Sequence, residues 1–365
     1  MKKLGKILLH LLPIFLLIVG IGVISYFGHQ WWQESELQRE RPKVVKAKDG
    51  TNINASWHTF SAYQKGLRDK YSFINKTSVY VPPRTWDGKD FIIPGLVSTK
   101  SYNFANKKYD TSDSMTPQGV AVVNKYILIT AYDGEHKHAS VIYVLNKKTG
   151  KYLKTIQIKG RSHLGGIAYD PVAKNIWVTE SIGDDPALMS FSLKDLKKYN
   201  PKKHLPIEYD HKIVIPTIEN ASTVTYYDNQ LFVGFFNMYD RGKVASYRIT
   251  RGGKHNGSIT NNEIKSVTGS VRWTNADGEA SMDKQIQGIA IYQDKIFLSQ
   301  SYGSHDSKLY VFPTSALNSL DEKNAEKIID MPPYLEQITA YKGQLLCLFE
   351  SGAKLYAKPQ IVIMD

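Results

Sequence analysis

One phrase recurs five times in this chain: a short apolar strand, a tight turn, a second apolar strand, a polar loop and a third strand. The first strands read PQGVAVV (117–123), LGGIAYD (164–170), ASTVTYY (221–227), IQGIAIY (286–292) and LEQITAY (335–341). Their partners are YILITAY (126–132), NIWVTES (175–181), QLFVGFF (230–236), KIFLSQS (295–301) and QLLCLFE (344–350). Third strands follow as VIYVLN (141–146), ALMSFSL (187–193), KVASYRI (243–249), KLYVFP (308–313) and KLYAK (354–358). Successive first strands start 47, 57, 65 and 49 residues apart. Hairpin-linked strands repeating near that period are the pattern of propeller blades, each a small sheet set radially round one axis. A sandwich also uses many short strands, but it has no reason to repeat one three-strand phrase.

The expected fold is therefore an all-β β-propeller over 117–365, with five blades counted. A sixth blade is available if 57–116 supplies one, since SVYV (78–81) and FIIPGLV (91–97) read as strands. FIIPGLV could instead close the ring on the last blade and remove an exposed sheet edge. Within the phrase, Gly119, Gly166 and Gly288 share one position, with Ala121, Ala168 and Ala290 two residues on. Small residues there fit inner strands whose backbones crowd together at the axis. Candidate fourth strands are TIQIKG (155–160), HKIVIP (211–216) and EKIIDM (326–331), and the Gly- and Asn-rich 251–262 reads as an exposed loop.

Ahead of the repeats, Ile7 to Phe27 is apolar except for His10, Ser25 and Tyr26. At ~1.5 Å per residue it spans roughly 30 Å, the hydrocarbon thickness of a bilayer. Lys2, Lys3 and Lys6 precede it and Trp31 and Trp32 follow, an arrangement predicting a retained single-pass signal-anchor with a cytoplasmic N-terminus, the competing reading being a cleaved secretory signal. The organisation expected is thus a basic tip (1–6), a transmembrane helix (7–27), a polar stalk (28–56), an extension (57–116) that starts with a short amphipathic helix at 57–71, and an extracellular propeller. The chain carries a net charge of +13, of which eight basic and three acidic residues lie before Asp49. For an exported, basic domain the expected partners are the membrane, an anionic wall polymer or an extracellular protein. Nucleic acid is not expected, since no binding motif for it is present.

The single cysteine, Cys347, excludes a disulfide framework, a redox pair and multi-cysteine metal sites, and its apolar strand predicts a core thiol. The sequence contains no nucleophile elbow, P-loop, dinucleotide fingerprint, zincin helix or EF-hand loop.

PQGVAV, LGGIAYDP and IQGIAI resemble inner strands of the NHL, SMP-30/gluconolactonase and YVTN-like propellers, and VIYVLNKKTGKYLKTI (141–156) is similar to the outer half of a YVTN-type blade. The resemblance covers roughly 117–358 and implies a fold rather than an activity, because propellers host lactonases, binding modules and scaffolds alike.

In a propeller the inner strands begin round one mouth of the central channel. The residues aligned there are Thr116, Gln118, His163, Gly165, Asn220, Ser222, Gln285, Gln287, Tyr334 and Glu336, polar in every repeat. Such a ring could hold a polar ligand or one divalent metal ion; a water-filled channel also needs a polar lining. The SMP-30 resemblance implies a Glu, Asn and Asp metal set, of which Glu336 and Asn220 match two members with no Asp in the ring to complete it. A second candidate metal set lies on the loops: His136 and His138, two apart as on one strand face, with His305 in the equivalent loop. Glu180, Asp184 and Asp185 form a third acidic group, of the kind that commonly makes a turn. Two functions follow: a membrane-anchored extracellular propeller that binds a ligand, wall polymer or partner protein at its mouth, or a metal-assisted hydrolase of the lactone or ester type.

Overall fold

The structure, a computed structural model, describes residues 2–39, 45–51, 93, 98–259, 263–266 and 271–350. A helix, α1 (Lys2–Arg39), opens the chain. Its stretch from Leu12 to Trp32 is 21 residues long, has a mean hydropathy of 2.0 and buries nothing against the rest of the protein. One N-terminal helix is therefore long and apolar enough to span a membrane. It continues past Phe27, through residues that the sequence pattern assigns to a stalk.

Two strands, β1 (Thr99–Asn103) and β2 (Lys108–Ser112), form a two-stranded sheet, which a single bridge between Asn103 and His138 ties to the ring. The first blade then comprises β3 (Met115–Val123), β4 (Tyr126–Asp133), β5 (Val141–Asn146) and β6 (Tyr152–Gln157), antiparallel in that order. The second uses β7 (Ile167–Asp170), β8 (Asn175–Ile182) and β9 (Asp185–Ser192); after helix α2 (Leu193–Lys198) comes its fourth strand, β10 (His211–Val214). The third has β11 (Thr223–Tyr227), β12 (Gln230–Phe235) and β13 (Gly242–Arg248). An excursion follows, in which β14 (Glu263–Ser266) and β15 (Val271–Thr274) extend the second blade's sheet, before β16 (Gly278–Met282) returns as the third blade's fourth strand. The fourth blade contains β17 (Ile286–Tyr292), β18 (Lys295–Gln300) and β19 (Ser307–Pro313). Short β20 (Ser319–Leu320) joins the third blade's sheet, and β21 (Lys327–Met331) completes the fourth. A hairpin of β22 (Leu335–Tyr341) and β23 (Gln344–Phe349) fills the last position.

The innermost strands β3, β7, β11, β17 and β22 neighbour one another in turn, and β22 returns to β3, so the ring is closed. This is an all-β propeller. Among the described residues four sheets carry four or more strands and the fifth position two. Residues 57–71, SVYV and KLYAK lie outside the described residues, as does FIIPGLV apart from Ile93, which is buried with the first blade's core. The described end of the extension, β1–β2, is not a ring member. It stacks on the first blade, where Ser101 Oγ donates to the Ala139 carbonyl (2.6 Å) and to Gln157 Oε1 (2.9 Å), and the Thr99 and Tyr143 hydroxyls bond at 2.7 Å.

The alternation of the strands explains the core. Apolar residues face neighbouring sheets, giving successive inter-blade clusters such as Leu128, Ile142, Ile156, Ile176 and Val178 between the first two blades. Trp177, Leu231, Val233 and Tyr247 do the same between the second and third.

The shared glycines sit where backbones meet. A Cβ on Gly166 would stand 2.4 Å from the Val224 amide nitrogen, and one on Gly288 2.8 Å from that of Ile338. Each such glycine faces a hydroxyl on the next strand: Gly119 pairs with Thr130, Gly288 with Ser299, and Gly166 N–H donates to Thr179 Oγ1 (2.8 Å). Those hydroxyls also bolt blade to blade, Thr130 donating to the Leu164 carbonyl (2.7 Å) and Ser299 to that of Glu336 (2.8 Å). In the third blade the pair is exchanged, with Thr223 on the inner strand opposite Gly234. In the last blade the glycine position is Gln337, whose amide enters the axis. Its Oε1 accepts from the amides of Val120 and Ile167 (3.0 Å each), and its Nε2 donates to the carbonyls of Ile167 (2.9 Å) and Val224 (2.8 Å). One side chain thus joins the inner strands of three other blades.

The segment 251–262, expected as an exposed loop, is partly anchored. Gly257, Ser258 and Ile259 are buried, Asn175 Nδ2 donates to the Gly257 carbonyl (3.0 Å), and Arg251 grips the fully buried Asp170 through two bonds of 2.7 and 2.9 Å.

Candidate functional site at the channel mouth

The inner strands all start at one end of the ring, and the loops after β4, β8, β12 and β18 return to that same end. Three of the aligned polar residues occupy breaks in the pairing of β3, β17 and β22: Gln118, Gln287 and Glu336 lie where the register shifts by one residue. Such bulges twist a strand and re-aim its side chains.

The members of the expected ring have differing roles. Thr116 Oγ1 donates to the Ser114 carbonyl (3.2 Å), and the nearly buried Gln118 donates to the carbonyl of Pro117 (3.0 Å). Ser222 Oγ accepts the Phe236 amide (3.0 Å), and Gln285 Nε2 reaches the Met238 carbonyl (3.1 Å), so both brace the loop between β12 and β13. Gly165 lies against Ser222, whose carbonyl oxygen would stand 2.1 Å from an added Cβ. Asn220 is exposed, Gln287 half-buried, and Tyr334 half-buried with a left-handed backbone (φ +63°). Glu336 is 5% exposed. Burial, and then the carboxyl of Glu350, push its pKa well above the usual carboxylate range.

The loop histidines do not act as a pair. His138 is buried, with Nδ1 3.0 Å from Asp133 Oδ2 and Nε2 2.7 Å from Asp110 Oδ1. Both ring nitrogens are engaged in clamping β1–β2 onto the first blade. Although burial alone would raise the pKa of Asp133, hydrogen bonds from Ser114, His138 and two backbone amides hold it well below normal. His136 has a left-handed backbone (φ +53°) and lies on the surface, and His305 is exposed on the far loop. In the third acidic group, Glu180 accepts the Tyr209 hydroxyl (2.8 Å), while Asp185 begins β9 next to Asp184 in the turn. Among the described residues no three His, Cys, Asp or Glu side chains converge in a metal-holding arrangement.

What the fold does bring together is a track from the outer edge of the first blade to the mouth. Tyr102 and Phe104, 38% and 36% exposed, meet edge to face at 5.2 Å between centroids. The Arg161 guanidinium lies over Phe104 at 5.2 Å and donates to the His136 carbonyl (2.9 Å). The His136 ring is 5.5 Å from that of Tyr132, which in turn lies 4.2 Å from His163. Burial raises the Tyr132 phenol, with Glu350 and Glu336 adding to the effect, which marks the inner end of the track at the last blade. His163 reaches solvent, yet surrounding protein and then His136 push its pKa down to about 4. At neutral pH the inner end therefore presents an uncharged imidazole.

The sequence reading finds His163, His136 and Glu336 but misses Tyr102, Phe104, Tyr132 and Arg161. The signal available for them was an aromatic pair in the polar run before the first repeat. Gln337 was visible as Q-I-T standing where three other repeats have G-V-A or G-I-A.

The class defined here is a β-propeller with an N-terminal helix able to cross a membrane. No family model and no curated protein matches the chain. Similar solved structures include the nidogen of a nidogen/laminin complex (12% identity, 70% of this chain and 89% of that one, TM-score 0.37) and the RRP9 WD40 repeats (8%, 64% and 80%, 0.37). Another is the Kuenenia stuttgartiensis hydrazine synthase (10%, TM-score 0.32), where 62% of this chain matches and spans about half, 52%, of that chain. Likenesses this distant carry nothing about activity.

Proposed function

We propose that this protein is a membrane-anchored extracellular propeller that binds a ligand or a partner protein at its channel mouth. The observation that carries the reading is the track Tyr102, Phe104, Arg161, His136, Tyr132 and His163, exposed except at the half-buried Tyr132. Exposed aromatic rings with an arginine between them have the composition of binding hot spots. The His163 imidazole is neutral at the mouth, so the inner end suits a polar, uncharged group packed against rings. The Lys-flanked helix supports the anchored arrangement with the propeller outside the cell. No observation favours the hydrolytic alternative, whose candidate ligands Asn220 and Glu336 differ sharply in exposure.

The test is native mass spectrometry, with metal analysis, of the full chain purified in mild detergent. The parent should retain a bound species that the Phe104→Ala/Arg161→Ala variant loses at an unchanged melting temperature. Equal retention by both, or by neither, would refute the reading.

A further inference from the structure

At the end of the propeller opposite its mouth, a lysine patch runs across three of the blades. Strands β3, β5, β9 and β22 finish there, and the turns that follow carry Lys125, Lys147, Lys148, Lys151 and Lys342. Helix α2 adds Lys194, Lys197 and Lys198, and the 3-10 turn after it Lys202 and Lys203; Lys174 ends the turn before β8. Contacts make the patch continuous across three blades. Lys147 Nζ donates to the Tyr341 hydroxyl (2.7 Å), and Lys154 Nζ donates to the carbonyls of Leu196 (2.6 Å) and Tyr199 (2.9 Å).

Three features mark this patch. First, none of its lysines has a carboxylate within ion-pair distance among the described residues. Second, apolar side chains stand exposed among them: Val172 (63%), Leu205 (61%) and Leu153 (46%). Third, the chain arriving from α1 docks at this end. Asp49 accepts the hydroxyl of Tyr152, the first residue of β6, and Thr51 Oγ1 bonds Thr155 Oγ1 (3.3 Å). From Trp32 to Asp49 the chain can reach at most about 45 Å, roughly 10 Å of helix and 35 Å of extended chain.

We infer that this lysine end faces the membrane that α1 crosses and rests on its anionic phospholipid headgroups, holding the mouth turned away from the bilayer. Unpaired lysines with exposed apolar side chains among them match a negatively charged surface with an apolar interior, and a short tether keeps them within reach. Each lysine near such a surface strengthens the contact about fivefold, an effect that salt screens beyond roughly 8–10 Å. The inference does not depend on what the mouth binds.

The test uses the full chain in nanodiscs of phosphatidylcholine, with and without phosphatidylglycerol, and reads acylation of each lysine by mass spectrometry. Lys148, Lys174 and Lys194 should react several-fold more slowly in the anionic discs, Lys284 near the mouth equally in both, and molar salt should erase the difference. The K197E/K198E/K202E/K203E variant should lose the slowing at Lys148 and Lys174 while keeping the parent melting temperature. Equal rates in the two discs would overturn the inference, as would slowing that survives in the variant. Slowing seen only when a soluble polyanion is added to neutral discs would also overturn it, in favour of an anionic polymer.

Discussion

Replacing Gln337 by methionine keeps the length of the side chain and deletes all four of its hydrogen bonds. The groups left behind are backbone amides and carbonyls on the inner edges of three blades, where the sheet itself ends. At a net ~1 kcal/mol per bond the loss is about 4 kcal/mol, and orphaned buried groups at ~1–3 kcal/mol each would raise it further. Against a total stability of about 5–15 kcal/mol, that is a large share. Thermal unfolding of the full chain in detergent should show a drop of about 8 °C or more, at ~2–4 °C per kcal/mol. Gln337→Glu should also make the stability depend on pH. A carboxyl at so buried a site has a raised folded pKa, so its stability should be best at low pH and fall as pH rises through that value. If Gln337→Met shifts the midpoint by under about 2 °C, the axis is held by apolar packing and the amide is incidental.

Other outcomes follow from single contacts. Gly166→Ala should cost about 3 kcal/mol or more, since its Cβ would press on backbone atoms at 2.4–2.8 Å, whereas Gly160→Ala, with nothing nearer than 3.9 Å, should be close to neutral by urea titration. Arg251→Ala leaves the buried Asp170 carboxylate without its cation and should lower stability by about 3–5 kcal/mol, with Arg251→Lys recovering only part in the same assay. His163, with its pKa lowered to about 4, favours folding above about 6.5, and that contribution should disappear as pH falls from there towards 4. His163→Gln should therefore flatten this limb of the melting-temperature profile. Glu336, raised above its unfolded value of 4.5, has the opposite sign: its cost grows as pH rises, and Glu336→Gln should stabilise the protein at neutral to alkaline pH.

The repeated phrase made the ring, the inner strands and their crowded glycines legible, because period-two alternation and missing side chains are local properties. The fourth strand of the third blade was not, since Gly278–Met282 is a short, half-exposed segment reached after an excursion. The excursion itself misled through its composition. Glycine and asparagine describe its exposed tip, while Arg251 and Gly257 are fixed by partners some 80 residues away, Asp170 and Asn175. The same distance effect hid the site. His138 has the spacing of a ligand, but its second partner, Asp110, lies 28 residues earlier on a hairpin that only tertiary packing brings to His138 and Asp133. Tyr102, Phe104 and Arg161 are unremarkable singly and gain meaning by adjacency.

The amide of Gln337 also sets an order of events. Its partners precede it by 217, 170 and 113 residues, so the bonds across the axis close some of the longest loops in the fold. During synthesis most of the first three blades is made before residue 337, yet they lack the group that joins them. Each blade can form its hairpins early, while the ring stays open until the last inner strand arrives. Contacts of such sequence separation make folding slow. The ring thus commits to its native shape in one late step, when the last inner strand carries its amide to the axis and joins sheets that had formed separately.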